Sequence, residues 1–326
     1  MKKTVIILMI LTFVFSGFSS MEIQAAEEIS VTLHAEKEHP KWDVVERFKE
    51  TVEEETDGEF EVVLLGLEVG GERDHVEGVS AGEYTMSLGG SVPLDLYAPE
   101  FKAVDLPFLF ENTDQAKGVY EGERLEILNE TLIENGDMRL VGLLPRTPRY
   151  LTSKEPVRTL EDVSGGMRVP EIQPWVDVWS ELGADPEPIP ADEMYLAIQT
   201  GVVDMQENPV EFTMSQKIHE VNDYITKTAH IHSFFHWLMN EDFYQNLSDE
   251  NREIIMNAIE EANEWGEEYI FDREEDQLEG LVEDGYIKEV IEVDFEEWQE
   301  AAMPAVEPHI EELHPTVREY LDSLEN

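Results

Sequence analysis

The sequence predicts an α/β fold, and three observations carry that prediction. Short β-prone runs alternate with helical stretches along almost the whole chain, the pattern of a mostly parallel sheet. About 300 residues follow the N-terminal segment, enough for one large core or two medium ones. From Ser248 onward a single helical periodicity continues for several turns, long enough to span two domains.

The elements of the first half read in order. Ile29 to Leu33 is a β-prone run, followed by a polar loop with Glu36, Glu38 and His39. Pro40 opens a helix that puts Val45, Phe48 and Val52 on one face, and Gly58 stops it. Phe60 to Leu65 reads as a buried strand. The Gly70-Gly71 turn then leads into a helix from about Glu72, and Tyr84 to Leu88 is the next strand, closed by Gly89-Gly90. The apolar stretch from Phe101 to Phe110 contains a proline and is expected to cross the domain as irregular structure. A helix to about Glu134 and a strand from Leu140 to Leu144 complete this half.

The second half begins with a strand at Arg149-Tyr150-Leu151-Thr152-Ser153. Thr159 caps a short helix through Asp162, and Gly165-Gly166 turns the chain into the strand Met167 to Pro170. Trp175, Val178, Trp179 and Leu182 share one face of a helix that Pro174 starts and Gly183 ends. Asp192 caps another, with Met194, Ala197 and Ile198 inward and Gly201 as its stop. Val202 to Met205 reads as a strand running directly into Gln206-Glu207-Asn208-Pro209. In the long helix, Ile255, Ala258, Ile259, Ala262, Trp265 and Tyr269 hold helical spacing, and the next proline is Pro304.

The N-terminus predicts export. Lys2 and Lys3 form a positive n-region, Val5 to Phe15 a short apolar core, and Ala25-Ala26 a small-residue cleavage site. Residues 1–25 are assigned to a cleaved signal peptide, the apolar run being short of the ~20 residues a membrane span needs. The alternative is an uncleaved anchor helix. The chain has no cysteine, which excludes disulfides, thiol catalysis and a lipid-modified cysteine anchor. A freely diffusing periplasmic protein follows, and a monomer is the expectation.

Charge excludes a further class. There are 74 Asp and Glu against 22 Lys and Arg, a formal net charge of −52. Such a surface repels phosphate, so nucleic acid is not an expected partner. It also repels itself, and salt near 1 M, where the Debye length is ~3 Å, screens that repulsion. A high-salt habitat is the expectation.

Catalytic and cofactor signatures are missing: no GxSxG elbow, Walker loop, GxGxxG after a strand, or HExxH. No cofactor and no metal are therefore expected. His230, His232 and His236 are close in sequence, and the first two would share a strand face. They read better as structural or pocket-lining residues than as metal ligands. Four residues point to recognition of a small acid. Arg168 stands at the end of a short strand in a chain poor in cations, where its planar fork suits a ligand carboxylate. A buried ion pair is the alternative. Arg149, at the start of the preceding strand, can converge with it. Asn208 follows a strand, at the edge where α/β sheets present ligands, and is either a ligand contact or a turn residue. Trp175 either stacks on a ligand or belongs to the core.

Together these segments resemble a known family. LEDVSGGMRVP, then LGADPEPIPADEMYLAIQTGVVDMQENP, then KIHEVNDYITKTAHI are similar to the solute-binding proteins of tripartite ATP-independent periplasmic (TRAP) transporters. VGGERDHVEGVSAGEYTMSL and VDLPFLF stand in the matching order, so the resemblance covers the mature chain. It implies a two-domain periplasmic binding protein with crossing strands and a long domain-spanning helix. Domain I would comprise 27–146 plus 234–273, and domain II 147–233 plus 274–326.

The resemblance also implies roles. Arg168 matches the arginine that clamps a ligand carboxylate, Arg149 a second arginine seen in some members, and Asn208 the asparagine that hydrogen-bonds the ligand. Glu72 matches an acidic position after the glycine turn, and His34 lies where the first strand reaches the cleft. Met205 replaces a small residue, while Gly90 and Ala191 stand where some members have larger ligand contacts. Trp175 and Tyr150 are expected to supply the lost bulk. The implied function is capture of an organic acid (a dicarboxylate, a sugar acid or a keto or hydroxy acid) and its delivery to TRAP membrane permease subunits. A zwitterionic osmolyte such as ectoine is the alternative ligand. An exported hydrolase or lyase using Glu72 and Glu207, or a ligand-binding sensor, are the alternative functions.

Overall fold

The protein is described by a computed structural model covering residues 26–324. The predicted signal peptide lies outside the described residues. In chain order the first half contains β1 (Glu27–Leu33), α1 (Lys41–Glu55), β2 (Phe60–Leu65), α2 (Glu72–Ser80), β3 (Met86–Gly89), α3 (Val92–Tyr97), α4 (Thr113–Lys117), α5 (Glu123–Gly136) and β4 (Met138–Pro145). Then come β5 (Tyr150–Ser153), β6 (Gly165–Val169), α6 (Gln173–Glu181), β7 (Ala184–Pro188), α7 (Met194–Thr200), β8 (Met205–Asn208), α8 (Val210–Ser215) and β9 (Tyr224–Lys227). The last third holds β10 (Phe234–Asn240), α9 (Glu241–Asn246), α10 (Asp249–Glu283), β11 (Glu289–Glu292), α11 (Phe295–Ile310) and α12 (Pro315–Leu324).

The strands form two sheets, ordered β2-β1-β3-β10-β4 and β11-β9-β5-β8-β6-β7. The expected parallel pairing holds for most neighbours, but one strand in each sheet is inverted. β10 is antiparallel to β3 and β4, and β5 is antiparallel to β8 and β9. The reason lies in the chain path. β4 leaves the first sheet at Pro145 and β5 enters the second at Tyr150; β9 leaves the second at Lys227 and β10 enters the first at Phe234. Neither link contains the helix that a parallel connection needs. A strand entered directly from the opposite sheet runs away from the gap, whereas its parallel neighbours run towards it. The two links lie side by side: the Arg146 N–H donates to Ser233 O at 3.0 Å, and the Arg149 N–H to Ile231 O at 3.3 Å.

The gap is consequently edged by the carboxyl ends of β1, β3, β4, β6, β8 and β9 and by both links. Such an edge is where α/β sheets present ligands. His34, Gly90, Arg146, Arg149, Pro170 and Asn208 all sit there by position in the chain.

Helix α10 is the third link. Its 35 residues span about 52 Å at 1.5 Å per residue. It starts on the Ser248 side chain, which accepts from the Asn251 N–H. Gly266 lets it lie close, because a Cβ there would come within 2.6 Å of Val44 and 3.0 Å of Leu144. Further along, α10 packs on α8, β11 and the second sheet's side. The chain end returns: the Tyr320 hydroxyl donates to Gln115 O, and His314 stacks on Phe101 at 5.0 Å.

Most helix readings match, including Pro40 before α1 and the buried Trp175, Val178 and Trp179 on α6. Two strand readings are corrected. The stretch read as a strand from Val202 is a turn in which the Val202 N–H bonds Ala197 O, and Val202 is 61% exposed. Gly201 at φ +77° forces that turn. The strand is the polar run Met205–Asn208, so Asn208 ends it rather than following it. Likewise His230 and His232 lie in the link before β10, not on a strand.

Candidate functional site

Two neighbouring cavities open along the gap. The smaller, about 230 Å³, is lined by Arg149, Arg168, Asn208, Trp175 and Ala191, with Asp105 and Ser91 from the first sheet's side. The larger, about 750 Å³, is lined by His34, Lys41, Glu72, Gly90 and Glu211. Arg146 and Phe212 line both. The structure thus brings Arg168, Arg149, Asn208 and Trp175 to one cavity, and places Glu72 and His34 in the adjoining one.

Arg168 belongs to β6, whose alternation sends Met167 and Val169 into the core and Arg168 the other way. It is 5% exposed, and its Nε donates to Ile189 O at 2.7 Å. Burial pulls its guanidinium below the ordinary arginine value, with Glu207 opposing. Among the described residues it forms no ion pair, so the ion-pair alternative does not hold for Arg168.

That alternative applies to Arg149 instead. Its Nε and Nη2 grip Glu207 at 2.5 and 3.0 Å, in a bidentate pair. Nη2 also donates to Asn208 Oδ1 at 2.7 Å, and the guanidinium lies 4.7 Å over the Trp175 ring. Behind it, Glu207 Oε2 accepts from His230 Nε2 at 3.0 Å, and His230 Nδ1 is 2.7 Å from the Thr228 hydroxyl. Burial alone would raise the Glu207 carboxyl, but Arg149 and the His230 contact outweigh it and hold it below the usual range. Burial likewise keeps His230 neutral. Since a carboxylate only accepts, the His230 proton sits on Nε2 and the Thr228 hydroxyl donates to Nδ1. Arg149 is therefore a fixed, neutralised wall and Arg168 an open cation.

Asn208 is not a self-satisfied turn residue. Besides accepting from Arg149, its amide donates to Gln206 Oε1 at 2.6 Å, on the same face of β8. Gln206 in turn donates to Thr152 Oγ1 at 2.7 Å, which also accepts from Asn222. This buried ladder fixes the Asn208 side chain in the cavity wall, its NH2 on Gln206 and Met194 and its Oδ1 on Arg149. Trp175 is both core and wall: 4% exposed, its indole N–H bonds Asp105 O at 2.7 Å.

In the larger cavity, Glu72 opens α2 and accepts from the Gly90 N–H. A Cβ at Gly90 would stand 3.1 Å from that carboxylate, a tight contact that Glu72 would have to yield to. His34 supplies its carbonyl to Lys41 Nζ at 3.0 Å, while its ring packs edge-on to His75. Glu211 lies 3.3 Å from His39 Nε2, a contact between α8 and the loop before α1.

A sequence profile of the bacterial extracellular solute-binding proteins, family 7 (DctP), matches residues 32–313. The chain belongs to this family of TRAP solute-binding proteins. A relative, the solute-binding protein RD1_1052 of Roseobacter denitrificans, is 32% identical over 302 residues, covering 90% of each chain. A crystal structure of that TRAP protein with bound L-galactonate superposes with a TM-score of 0.75 at 27% identity, covering 93% of this chain and 100% of that one. A TRAP solute-binding protein from Ochrobactrum anthropi, with its C-terminus in its ligand pocket, gives 0.83 at 26% identity, covering 91% and 94%. The ectoine/5-hydroxyectoine-binding protein UehA of Ruegeria pomeroyi is 31% identical over 222 residues, 65% of this chain and 63% of its own.

As a TRAP solute-binding protein the chain is a binding protein and not an enzyme, so Glu207 serves to hold Arg149 rather than to catalyse. Two further features revise the family-based reading. Tyr150 packs with Val210, Ile225 and Leu278 and is not among the residues lining either cavity, so it supplies no bulk to the site. Arg146, Lys41, Asp105 and Glu211 line the cavities without having been singled out. Arg146 carried a signal: a lone charge between Pro145 and Pro148, immediately after an apolar strand.

Proposed function

We propose that this protein captures a hydroxylated carboxylate of the sugar-acid class outside the cytoplasm and delivers it to a TRAP membrane permease. The observation that carries the proposal is Arg168: a buried guanidinium with its fork open to a cavity and no carboxylate of its own. A ligand carboxylate completes it bidentately. Asn208 hydrogen-bonds the same end, Arg149 and Trp175 form the wall, and Glu72 and His34 meet the ligand's far hydroxyls. The sugar-acid class is supported by the L-galactonate bound in RD1_1052.

The remaining parts of the reading fit this role. Residues 1–25 direct export and are removed, and the mature chain works as a monomer in the periplasm. Two domains, 27–146 plus 234–273 and 147–233 plus 274–326, close on the acid about the two links and α10. Closure is driven because the ligand binds the closed state better.

A thermal-shift screen of mature protein against sugar acids, other organic acids and ectoine tests the proposal. A ligand at ~100 times its dissociation constant adds ~2.7 kcal/mol, an easily read rise in Tm. The expected hit is a sugar acid, lost in Arg168→Ala with the unliganded Tm unchanged. Binding of ectoine alone, as the name of UehA suggests for that protein, would replace the sugar-acid reading.

A further inference from the structure

The second cationic group of the cleft is not the one that chain position suggested. Arg149 is neutralised by Glu207, whereas Arg146 has no ion pair and no side-chain hydrogen bond among the described residues, and its Nε is buried without a partner. Its guanidinium lies 4.6 Å from the Phe235 ring, and Lys41 Nζ lies 4.7 Å from the same ring. Lys41 is 3% exposed and bonds only the His34 carbonyl, again with no carboxylate within 4 Å. Glu211 and Glu72 act on both cations only from beyond ion-pair distance, and their own close contacts lie elsewhere: Glu72 with the Gly90 N–H, Glu211 with His39. In a chain with 74 acidic and 22 basic side chains, a buried Lys41 beside a half-buried Arg146 whose Nε is buried, neither held in an ion pair, is costly to fold. An anionic group from outside relieves that cost.

We propose that Arg146, with Lys41 beside it, is a second anion anchor, and that the preferred ligand is a hydroxylated dicarboxylate reaching from Arg168 to Arg146. Arg146 lines both cavities, so a chain held by one carboxylate at Arg168 passes from the smaller space towards the larger. Hydroxyls along the chain meet Asn208, Asp105 and Glu72. This inference rests on the acid-binding reading above and names its ligand class.

The test is calorimetric titration of the mature protein with an aldonate and with the aldarate of the same carbon chain and configuration, at fixed high salt. The aldarate is expected to bind at least tenfold more tightly. Arg146→Gln and, independently, Lys41→Gln are expected to shrink that ratio towards one while leaving aldonate affinity within a few-fold. Each should keep or raise the unliganded Tm, since a desolvated charge held in no ion pair is removed. An aldonate that binds as tightly as the aldarate, with a ratio unmoved in both variants, overturns the second anchor while the acid-binding function stands. Failure of both acids to bind well-folded wild-type protein instead overturns the function on which it rests.

Discussion

At the scale of residues, the division of labour between two arginines governs the site. Glu207 neutralises Arg149 and His230 backs Glu207, with both side chains of that second contact fully buried. Removing one partner of such a pair strands the other's charge. Glu207→Ala should therefore lower stability by about 3–5 kcal/mol in denaturant unfolding, far more than an exposed acidic-to-alanine change. Arg168 has no such partner, so Arg168→Ala should cost little stability and nearly all affinity. The sequence made the place of Arg168 and Asn208 in the cavity wall legible, because a cation or an amide at the cleft end of a short strand is conspicuous in an acidic chain. It did not reveal which arginine was already paired: Glu207 lies 58 positions from Arg149, and only the antiparallel register of β5 on β8 joins them.

At the scale of elements, α10 carries a titratable group into the linking region. Glu274 is 7% exposed, with one carboxyl oxygen lacking a partner, and it faces Thr147, Tyr150 and the Val210 N–H, with Glu211 and Lys227 nearby. Burial pushes its carboxyl from 4.5 up to about 7. The folded value exceeds the unfolded one, so the folded protein holds a proton that the unfolded chain releases between those pH values. Stability from this group falls as pH rises through that window, by on the order of 3 kcal/mol. His232 and His236, both pulled down by burial from 6.5 to about 4, act oppositely, losing stability as pH falls from 6.5 to 4. Glu274→Gln isolates the first effect: its advantage over wild type in urea unfolding should be larger at pH 8 than at pH 5. An advantage equal at both would remove the titration. The elements themselves were legible where periodicity and burial agree, as on α6. They were not where polarity inverts: Val202-Val203 is β-branched but lies in a turn, while the strand Met205–Asn208 is buried through a polar ladder.

At the scale of the whole molecule, alternating strands and helices revealed an α/β chain but not that two links without crossover helices would invert β5 and β10. That inversion brings the strand ends of both sheets to one gap. Net charge acts at this scale too. With −52 over 326 residues, the folded surface repels itself at low ionic strength. Tm should rise as NaCl is raised from near zero towards 1 M, where the Debye length falls to ~3 Å; a Tm that declines over that range would remove the high-salt expectation. The central claim, that the cleft takes an acid through Arg168, is tested most directly by titrating a sugar acid into wild-type and Arg168→Ala protein in the same high-salt buffer. The account predicts saturable binding by wild type and a loss of at least a hundredfold in the variant, with both proteins equally folded. Affinity that survives the substitution unchanged would contradict it.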